Sequence, residues 1–467
     1  MEADLTPASG ESYRRLSLWW DGLPGTISRR DPLDGDAEVD VAIVGGGLTG
    51  LWTAYYLSEA DPDLRIAVLE RDIAGFGASG RNGGWCSALF SVSDAKLDKR
   101  CGPGSGRAQR LAMQATIGEV GRAVAAEKID CGFHHGGTVV LARTPAQLDR
   151  LAAEVGEARA RGIVEDDLSL LSSAEARERV GATGVLGGTF TPHCAAVDPA
   201  RLVRGLADVV ERRGVKIHEQ TPVVGLAPGV ATTTRGTVRA RTVVRATEGY
   251  TRTLVGHERD VIPVYSLMIA TEPLGDSFWA EHGLADRETF ADERHLVIYG
   301  QRTEDGRMAF GGRGAPYHFG STIRPAYDRD DSVHEALRRT LVELFPALSG
   351  AAVTHRWGGP LGITRDWFSS VGMDPTTRMA WAGGYVGDGL STTNLAGRTL
   401  RDLIIGERSD LCALPWVNHR SRKWEPEPFR YVGINAGLRL AGSADRAEER
   451  RGRATWHSRA LDKLVGG

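Results

Sequence analysis

The sequence predicts an α/β fold (α+β overall), in which a domain with a parallel sheet is discontinuous in sequence and a second domain has an antiparallel sheet flanked by helices. Three observations support this prediction. A strand, a glycine-rich turn, a helix and a second strand follow one another over residues 39–70. A helix, a glycine and a strand recur over 199–219, and several strands succeed one another between 261 and 348. Alternating strands and helices favour a parallel sheet, whereas successive strands favour an antiparallel one.

The first of these units carries a dinucleotide-binding pattern. Residues 39–44 form a short apolar run, β-branched at most positions, which is typical of a buried parallel strand. Gly45, Gly47 and Gly50 then give the G-x-G-x-x-G spacing. We expect Gly45 to permit a tight turn, Gly47 to let a pyrophosphate approach the backbone, and Gly50 to let the next helix lie close to the sheet. That helix is predicted over residues 48–60, with its N-terminal N–H groups directed at the phosphates.

An acidic residue completes this pattern and makes the domain Rossmann-type. The second strand, residues 64–69, ends on Glu70, which follows Gly50 by 20 residues. An acid at this distance accepts hydrogen bonds from the adenosine ribose of a bound dinucleotide. The alternative is a solvated acid at a strand end.

The loop after Glu70 is unusually rich in glycine. Residues 75–84 contain five glycines in ten residues, together with Ser79, Arg81 and Asn82 as hydrogen-bond donors. Such a loop can wrap closely around a planar, anionic ligand, although a flexible linker is the alternative. A second close-approach loop lies at 383–389, with four glycines in seven residues, and a helix is predicted after it over residues 395–405.

Composition excludes several other classes of function. The 467 residues carry a formal charge of −3, which gives no electrostatic basis for binding nucleic acid or an anionic membrane. Residues 1–10 do not resemble a secretory signal, and no apolar run is long enough to span a membrane. The five cysteines are scattered and no Cys/His cluster accompanies them, so we expect reduced thiols, no metal and a cytoplasmic location.

With its Ser-Gly-Arg-Asn-Gly-Gly loop at 79–84, the sequence resembles the FAD-dependent amine and amino-acid oxidoreductases, the superfamily of D-amino-acid oxidase, glycine oxidase and sarcosine oxidase. Within this superfamily it looks most like the γ-glutamylputrescine oxidase branch, which shares that loop. The resemblance covers roughly residues 38–410. It implies FAD as the cofactor, bound without a covalent link because the loop at 79–84 carries no His or Cys for a tether.

The resemblance also implies which residues bind FAD. They come from the fingerprint, the strand-end acid, the two glycine loops, the adenine contact and the segment that closes over the diphosphate. Glu248 stands where the family more often has a small or amide residue, so only its two predecessors are carried over from that last segment. The predicted FAD-binding residues are Gly45, Gly47, Leu48, Thr49, Gly50, Glu70, Arg71, Ala78, Ser79, Gly80, Arg81, Asn82, Gly83, Gly84, Val223, Ala246, Thr247, Gly384, Gly387, Gly389, Leu390, Ser391 and Thr392.

We predict the following division of the chain. An N-terminal arm (1–36) precedes the FAD-binding domain, whose three parts are 37–100, 191–255 and 353–410. The substrate domain has two parts, 101–190 and 256–352, and residues 411–467 form a C-terminal tail. Within the tail we expect an extended segment over 424–429 and, over 444–463, a solvated helix or partial disorder.

Amine oxidation by FAD needs an amine that has lost its proton, after which a hydride passes from the α-carbon to flavin N5. An apolar, aromatic pocket would favour the neutral amine by desolvation. Candidate wall residues are Trp85, Tyr265, Tyr317 and Trp357, with ordinary core packing as the alternative for each. Arg313 is the candidate for holding a substrate carboxylate, with a surface ion pair as its alternative.

We therefore expect an enzyme that oxidises a primary or secondary small-molecule amine to an imine, with O₂ or another electron acceptor reoxidising the flavin. O₂ is favoured as the acceptor, giving hydrogen peroxide. However, no lysine lies between Lys216 and Lys423, where sarcosine-oxidase-like members use one to activate oxygen. The alternatives are a flavin amine dehydrogenase, an NAD-dependent dehydrogenase and a non-catalytic flavoprotein subunit. The sequence leaves the oligomeric state and the identity of the amine open.

Overall fold

The computed structural model describes residues 10–312 and 314–451. Several of its helices begin at side-chain caps. Ser172 and Glu175 form a capping box, and the Asp198 side chain accepts from the first-turn N–H groups of the helix that starts at Pro199. The α-helices are α1 (Gly10–Arg14), α2 (Leu18–Asp21), α3 (Leu48–Ala60), α4 (Asp94–Cys101), α5 (Ser105–Ala126), α6 (Pro145–Ala160), α7 (Ser173–Arg179), α8 (Pro199–Arg212), α9 (Asp276–His282), α10 (Asp331–Leu344), α11 (Gly389–Ile405) and α12 (Phe429–Arg451).

The strands form two large sheets and one small one. In chain order they are β1 (Ala37–Val44), β2 (Ile66–Leu69), β3 (Trp85–Ser87), β4 (Thr138–Ala142), β5 (Ser169–Ser172), β6 (Gly187–Thr191), β7 (Cys194–Ala196), β8 (Lys216–His218), β9 (Val223–Ala227), β10 (Val230–Thr233), β11 (Thr237–Arg245), β12 (Ile262–Thr271), β13 (Thr289–Asp292), β14 (Ile298–Arg302), β15 (Met308–Gly312), β16 (Val353–Ile363), β17 (Ser370–Met373) and β18 (Met379–Gly383).

The first sheet has the order β17-β18-β11-β1-β2-β8, and its strands from β18 to β8 are parallel. Side chains alternate along β1, so Val41 and Ile43 face one side while Ala42 and Val44 face the other. The first pair packs in a core with α3, α5, α8 and α11, and the second pair packs with the β9–β10 hairpin. The sheet is therefore covered on both faces, as a parallel sheet requires.

The second sheet has the order β16-β12-β15-β14-β13-β4-β6-β5 and is antiparallel except for the β4–β13 pair. Its core includes residues of α7, α9 and α10. These two sheets confirm the predicted fold class. Strand β16 pairs with β12 in the second sheet, although the division predicted from the sequence assigns residues 353–363 to the FAD-binding domain. The division into domains itself stays a prediction.

The N-terminal arm packs against the rest of the chain through aromatic side chains. Trp19 and Trp20 are buried in a cluster with Ala200 of α8, which packs on the first sheet, and with Met268 and Trp357 of the second sheet. The Trp19 and Trp357 rings meet edge to face, with centroids 6.3 Å apart. The arm is thus part of the folded core.

Two predicted helices differ from those observed. Helix α11 begins at Gly389, six residues before the predicted start, so the end of the glycine loop is already helical. Helix α12 begins at Phe429 and is anchored: Ala444 is buried, and Glu448 pairs with Arg150 at 2.9 Å. The prediction that this segment is merely solvated is wrong for its described part, while residues 452–463 lie outside the described residues.

Candidate active site

A cavity of about 360 Å³ lies at the carboxyl ends of the parallel strands and extends to the second sheet. Val44 and Leu69, the last residues of β1 and β2, line it together with Ala246, which directly follows β11. Ligands of open α/β sheets bind in this location, outside the carboxyl ends of the strands. The cavity therefore lies where the sequence pattern predicts a dinucleotide.

The fingerprint glycines are sterically required. Gly45 has φ +112°, and a Cβ there would lie 2.4 Å from the carbonyl oxygen of Ala246. A Cβ on Gly50 would lie 2.1 Å from the carbonyl oxygen of Gly45, which keeps α3 close to β1 as predicted. A Cβ on Gly47 would lie 2.9 Å from Ser79 Oγ and would narrow the cavity that Gly47 lines. A larger residue at Gly45 or Gly50 would displace backbone, and one at Gly47 would displace the Ser79 side chain.

Two helix N-termini reach the cavity, those of α3 and α11. Leu48 and Thr49 line it from α3, and Gly389, Leu390 and Ser391 line it from α11. A hydrogen bond of 2.9 Å joins Thr49 Oγ1 to the Tyr385 hydroxyl and so ties α3 to the glycine loop 383–389. Since a helix N-terminus carries partial positive charge and unpaired N–H groups, both ends favour an anionic ligand.

Glu70 lies at the end of β2, at the edge of the cavity. Its carboxylate accepts from the N–H groups of Gly46 and Asp72, each at 2.8 Å. Burial raises the pKa of Glu70 to about 7, although these two hydrogen bonds act in the opposite direction. The ribose contact remains a prediction, and the position of Glu70 on the cavity wall is compatible with it.

The glycine loop 75–84 is shaped by its own side chains. The Ser79 hydroxyl accepts from the Leu48 N–H at 2.9 Å, and the Asn82 side chain bonds the backbone of Ala78, Ser79 and Gly84. The structure thus gives these two predicted ligand donors a role in fixing the loop. Both also line the cavity, so their predicted contact with FAD stays open.

Arg81 joins this loop to the second sheet. Its guanidinium, 1% exposed, donates to Asp328 at 2.7 Å, to the Gly358 carbonyl and to the Tyr250 hydroxyl. Although burial alone would lower it, the neighbouring Asp328 and Tyr250 hold the pKa of Arg81 above its ordinary value. Arg81 lines the cavity, but its charge is compensated by Asp328.

Glu248 is a cavity residue that sequence reasoning set aside. It is the first residue of a 3₁₀ turn after β11, has φ +40°, and its Oε1 accepts from the Tyr385 N–H at 2.9 Å. Its Oε2 is shielded from solvent and has no hydrogen-bond partner among the described residues. Burial raises the pKa of Glu248 to about 7, against the effect of nearby backbone N–H groups of Tyr385, Gly362 and Gly384.

The wall contributed by the second sheet is uncharged among the described residues. Tyr299 is its main aromatic residue: its ring meets Trp85 edge to face at 6.0 Å, and its hydroxyl lies 2.9 Å from Ser266 Oγ. The indole Nε1 of Trp85 is shielded from solvent and has no partner within the described part of the chain. The other residues of this wall are Thr138, Val140, Ala291, Val297, Ile298, Gly359, Pro360 and Leu361.

Three predicted wall aromatics lie behind this surface instead of on it. Tyr265 packs edge to face with His318 and Tyr327, and Trp357, 1% exposed, donates its indole N–H to the Arg81 carbonyl. Tyr317 is buried against the C-terminal segment. The prediction that these three line the pocket is wrong. Aromatic side chains are common both in apolar cores and in ligand pockets, so residue type alone does not distinguish the two. Arg313, the predicted carboxylate anchor, lies outside the described residues.

Most predicted FAD-binding residues line this cavity. The exceptions are Gly50, Gly80, Gly84, Gly384 and Thr392, which do not line it. Sequence reasoning missed Tyr299, Ser266 and Glu248, and of these only Glu248 carried a signal, its departure from the family pattern. The cavity fits FAD in this sense: glycines leave room for a ligand along the first sheet, two helix N-termini suit its phosphates, and Glu70 is available to its ribose.

Comparison with known proteins agrees with this geometry. A family profile described as "FAD dependent oxidoreductase" (DAO) matches residues 40–403. The chain is 30% identical over 413 residues to gamma-glutamylputrescine oxidoreductase of Escherichia coli (strain K12), covering 86% of this chain and 93% of that protein. It is 31% identical over 401 residues to probable oxidoreductase OrdL of Rhizobium meliloti (strain 1021), covering 81% and 86%.

Among solved structures, glycine oxidase from Geobacillus kaustophilus has the same fold, with a TM-score of 0.69 and 22% identity over 82% of this chain and 99% of that one. The described residues contain no helix long and apolar enough to cross a membrane. The family profile spans more than half of the chain. The chain belongs to the family of FAD-dependent oxidoreductases and uses FAD as its cofactor.

Proposed function

We propose that the enzyme oxidises a primary or secondary amine to an imine, which water hydrolyses, and that O₂ reoxidises the flavin with release of hydrogen peroxide. A relative of 30% identity, named for γ-glutamylputrescine, supports an amine as the substrate. The observation that carries the proposal is the uncharged wall that the second sheet contributes to the cavity. We further propose that the reaction takes place in the cytoplasm, as the five free cysteines suggest.

An uncharged wall suits amine oxidation because the amine must react without its proton. An alkyl amine with a pKa near 10 is only roughly 0.1% neutral at pH 7. A wall of Val140, Val297, Ile298 and Tyr299 provides no carboxylate to stabilise the ammonium form. Desolvation there lowers the pKa of the amine and raises its neutral fraction.

The residues of the wall would position the amine. The Trp85 indole N–H faces no protein acceptor among the described residues, and the Tyr299 hydroxyl is fixed by Ser266. We propose that these groups orient the substrate while the aliphatic wall residues exclude water from it. Bound FAD supplies a hydride acceptor for the carbon that carries the amine nitrogen.

The charge of the wall also bears on the substrate class. Within the described part of the chain, the charged residues that line the cavity are Glu70, Arg71, Arg81, Glu248 and Asp388, none of which belongs to a strand of the second sheet. We propose a substrate without a carboxylate next to the amine. The alternative is an amino-acid substrate, whose carboxylate Arg313 would bind through bidentate hydrogen bonds.

A dehydrogenase is the second candidate, and one observation favours it. No lysine lies between Lys216 and Lys423, a span that includes β11, β12, β16 and the second glycine loop. A lysine ammonium group near the flavin would stabilise negative charge that develops on oxygen. Without one, a quinone or an electron-transfer protein could replace O₂ as the acceptor.

An amine panel tests the proposal. The holoenzyme is mixed anaerobically with monoamines, polyamine conjugates and amino acids, and loss of the visible flavin absorption band is followed. We expect bleaching by amines without an α-carboxylate, then peroxide when air is admitted. Bleaching without peroxide would establish the dehydrogenase instead. An Arg313→Met variant should leave the rate unchanged, and a loss confined to amino-acid substrates would overturn the substrate class.

A further inference from the structure

Three segments of the cavity wall meet at the side chain of Glu248. The first is its own turn after β11, the second is the end of β16, and the third is the glycine loop 383–389. A Cβ on Gly362 of β16 would lie 1.9 Å from Glu248 Oε2, so the absence of a side chain there makes room for the carboxyl group. Gly383 lies close to the Glu248 backbone, since its Cβ would be 3.8 Å from the Glu248 Cα.

The backbone is strained both in the turn at Glu248 and in the loop 383–389 that contacts it. Glu248 has φ +40° and Val386 has φ +61°, a conformation that is rare for a β-branched residue. The Val386 N–H donates to the Gly362 carbonyl at 3.3 Å, and the Tyr385 N–H donates to Glu248. Such strain persists only where surrounding contacts hold it, and it concentrates at functional sites. Glu248 is one of the groups that hold the loop.

A short chain of contacts connects Glu248 to the phosphate end of the cavity. The Tyr385 N–H donates to the Glu248 carboxyl group, and the Tyr385 hydroxyl bonds Thr49 in the first turn of α3. A movement of the Glu248 carboxyl group would therefore move Tyr385, and through it the helix N-terminus that suits the phosphates of FAD.

We propose that Glu248 is the positioning residue of the loop 383–389, and that gain or loss of a proton on its carboxyl group controls how tightly the enzyme holds FAD. The inference rests on the FAD dependence of the family and is independent of which substrate is oxidised. If no amine were oxidised, the inference about Glu248 would still stand. If the affinity for FAD did not change with pH, the inference about Glu248 would fail and the proposed amine oxidation would not be affected.

The surroundings of Glu248 decide the direction of the effect. Arg245 is the cation that lowers the pKa of Glu248, and the facing loop carries two titratable groups, the Tyr385 phenol and the Asp388 carboxyl group. Arg245 forms no ion pair with Glu248 among the described contacts; it donates to Thr251. The pyrophosphate of FAD is anionic and its binding removes water, and both favour the protonated carboxyl group. FAD binding should therefore take up a proton.

The test follows dissociation of FAD from the diluted holoenzyme through the rise in flavin fluorescence between pH 6 and 8.5. For the wild type we expect FAD to bind roughly tenfold more weakly at pH 8.5 than at pH 6. Glu248→Gln keeps an acceptor for the Tyr385 N–H but carries no charge, so its affinity should not change over this range. A merely structural residue would leave the pH profile as it is in the wild type.

Glu70→Gln is the matched control, because Glu70 is the other carboxyl group of the wall whose pKa is raised to about 7. We expect this variant to bind FAD less tightly and to keep the pH profile. The proposal is overturned if Glu70→Gln removes the profile, if Glu248→Gln retains it, or if the wild type shows none.

A second measurement covers a poorly folding Glu248→Gln variant. Calorimetric titration of FAD near pH 7.5, in buffers of different ionisation enthalpy, should show uptake of part of a proton by the wild type and by Glu70→Gln. Gly362→Ala, which places a methyl group against Glu248 Oε2, should abolish that uptake. Uptake of no proton in the wild type, or equal uptake in all three proteins, would contradict the proposal.

Discussion

The two sides of the cavity are built from different parts of the polypeptide. Along the first sheet the wall is mostly backbone, with glycines whose missing side chains leave the space and helix N-termini that supply the charge. Along the second sheet the wall consists of side chains on strands, such as Val140, Ile298 and Tyr299. A wall made of backbone tolerates little change, whereas a wall made of side chains can vary without altering the fold. The first side therefore suits a fixed cofactor and the second a substrate that differs among relatives.

Arg81 and Asp328 link the two sides of the cavity, and a substitution in this pair should have the largest effect on the free energy of unfolding. Asp328→Asn leaves the Arg81 guanidinium buried without its counter-charge, and we expect a loss of about 3 kcal/mol in the free energy of unfolding, measured by urea denaturation. Asp40→Asn, which breaks the exposed pair with Arg65, should cost much less, because water and salt screen an exposed ion pair. Equal losses in both variants would show that Arg81 does not join the two sides.

A methyl group on the backbone-built side should have the next largest effect. In Gly50→Ala the new Cβ meets the Gly45 carbonyl, and we expect a cost of about 2 kcal/mol, with FAD bound roughly 30-fold more weakly. Gly156→Ala is the control, because a Cβ on this exposed helical glycine would have no neighbouring atom within 4 Å. The control should keep its FAD affinity and be as stable as the wild type or slightly more stable. Unchanged FAD binding in Gly50→Ala would refute the steric argument.

On the side built from side chains, a substitution should affect kinetics and leave the cofactor in place. Trp85→Phe removes the indole N–H that has no protein partner among the described residues, so kcat/KM should fall roughly fivefold, about 1 kcal/mol. Its dissociation constant for FAD should not change. Trp416→Phe removes another buried indole N–H that lacks a partner in the described part of the chain, away from the cavity, and should leave kcat/KM as it is. Similar kinetics for the two variants would show that Trp85 does not contact the substrate.

The last effect concerns pH and the protein without FAD. Because burial raises the pKa of Glu70 from 4.5 to about 7 on folding, its ionisation opposes the folded state. The free energy of unfolding of the wild type should therefore fall, relative to Glu70→Gln, as the pH rises from about 4.5 to 7, and the difference should stay constant above pH 7. Thermal denaturation across this range measures it. A difference that grows in favour of the wild type would reverse the sign of the argument.

The same contrast explains how far the sequence could be interpreted. The sequence predicts helix α3 with the bounds that the structure has, because its start is fixed by local glycine geometry. It misses the start of α11, because glycine, serine and threonine are weak helix formers. Tertiary packing holds this helix: α11 packs on α3 at Gly397, where a Cβ would lie 2.7 Å from Trp52. For Tyr265, Tyr317 and Trp357, residue type predicts burial but does not distinguish a pocket from a core. Glu248 departs from the family pattern, which is its one visible signal.

The N-terminal arm has a practical consequence. Ser17 and Trp19 donate side-chain hydrogen bonds to the carbonyl groups of Gly80 and Asn82, so residues that precede the matched region 40–403 brace the first glycine loop from below. A truncated protein that starts at residue 37, the kind a profile boundary invites, would lose both bonds and uncover the Trp357 ring. Such a product should be purified colourless. Its inactivity would result from loss of the arm that supports the FAD-binding loop, although every residue that lines the cavity would still be present.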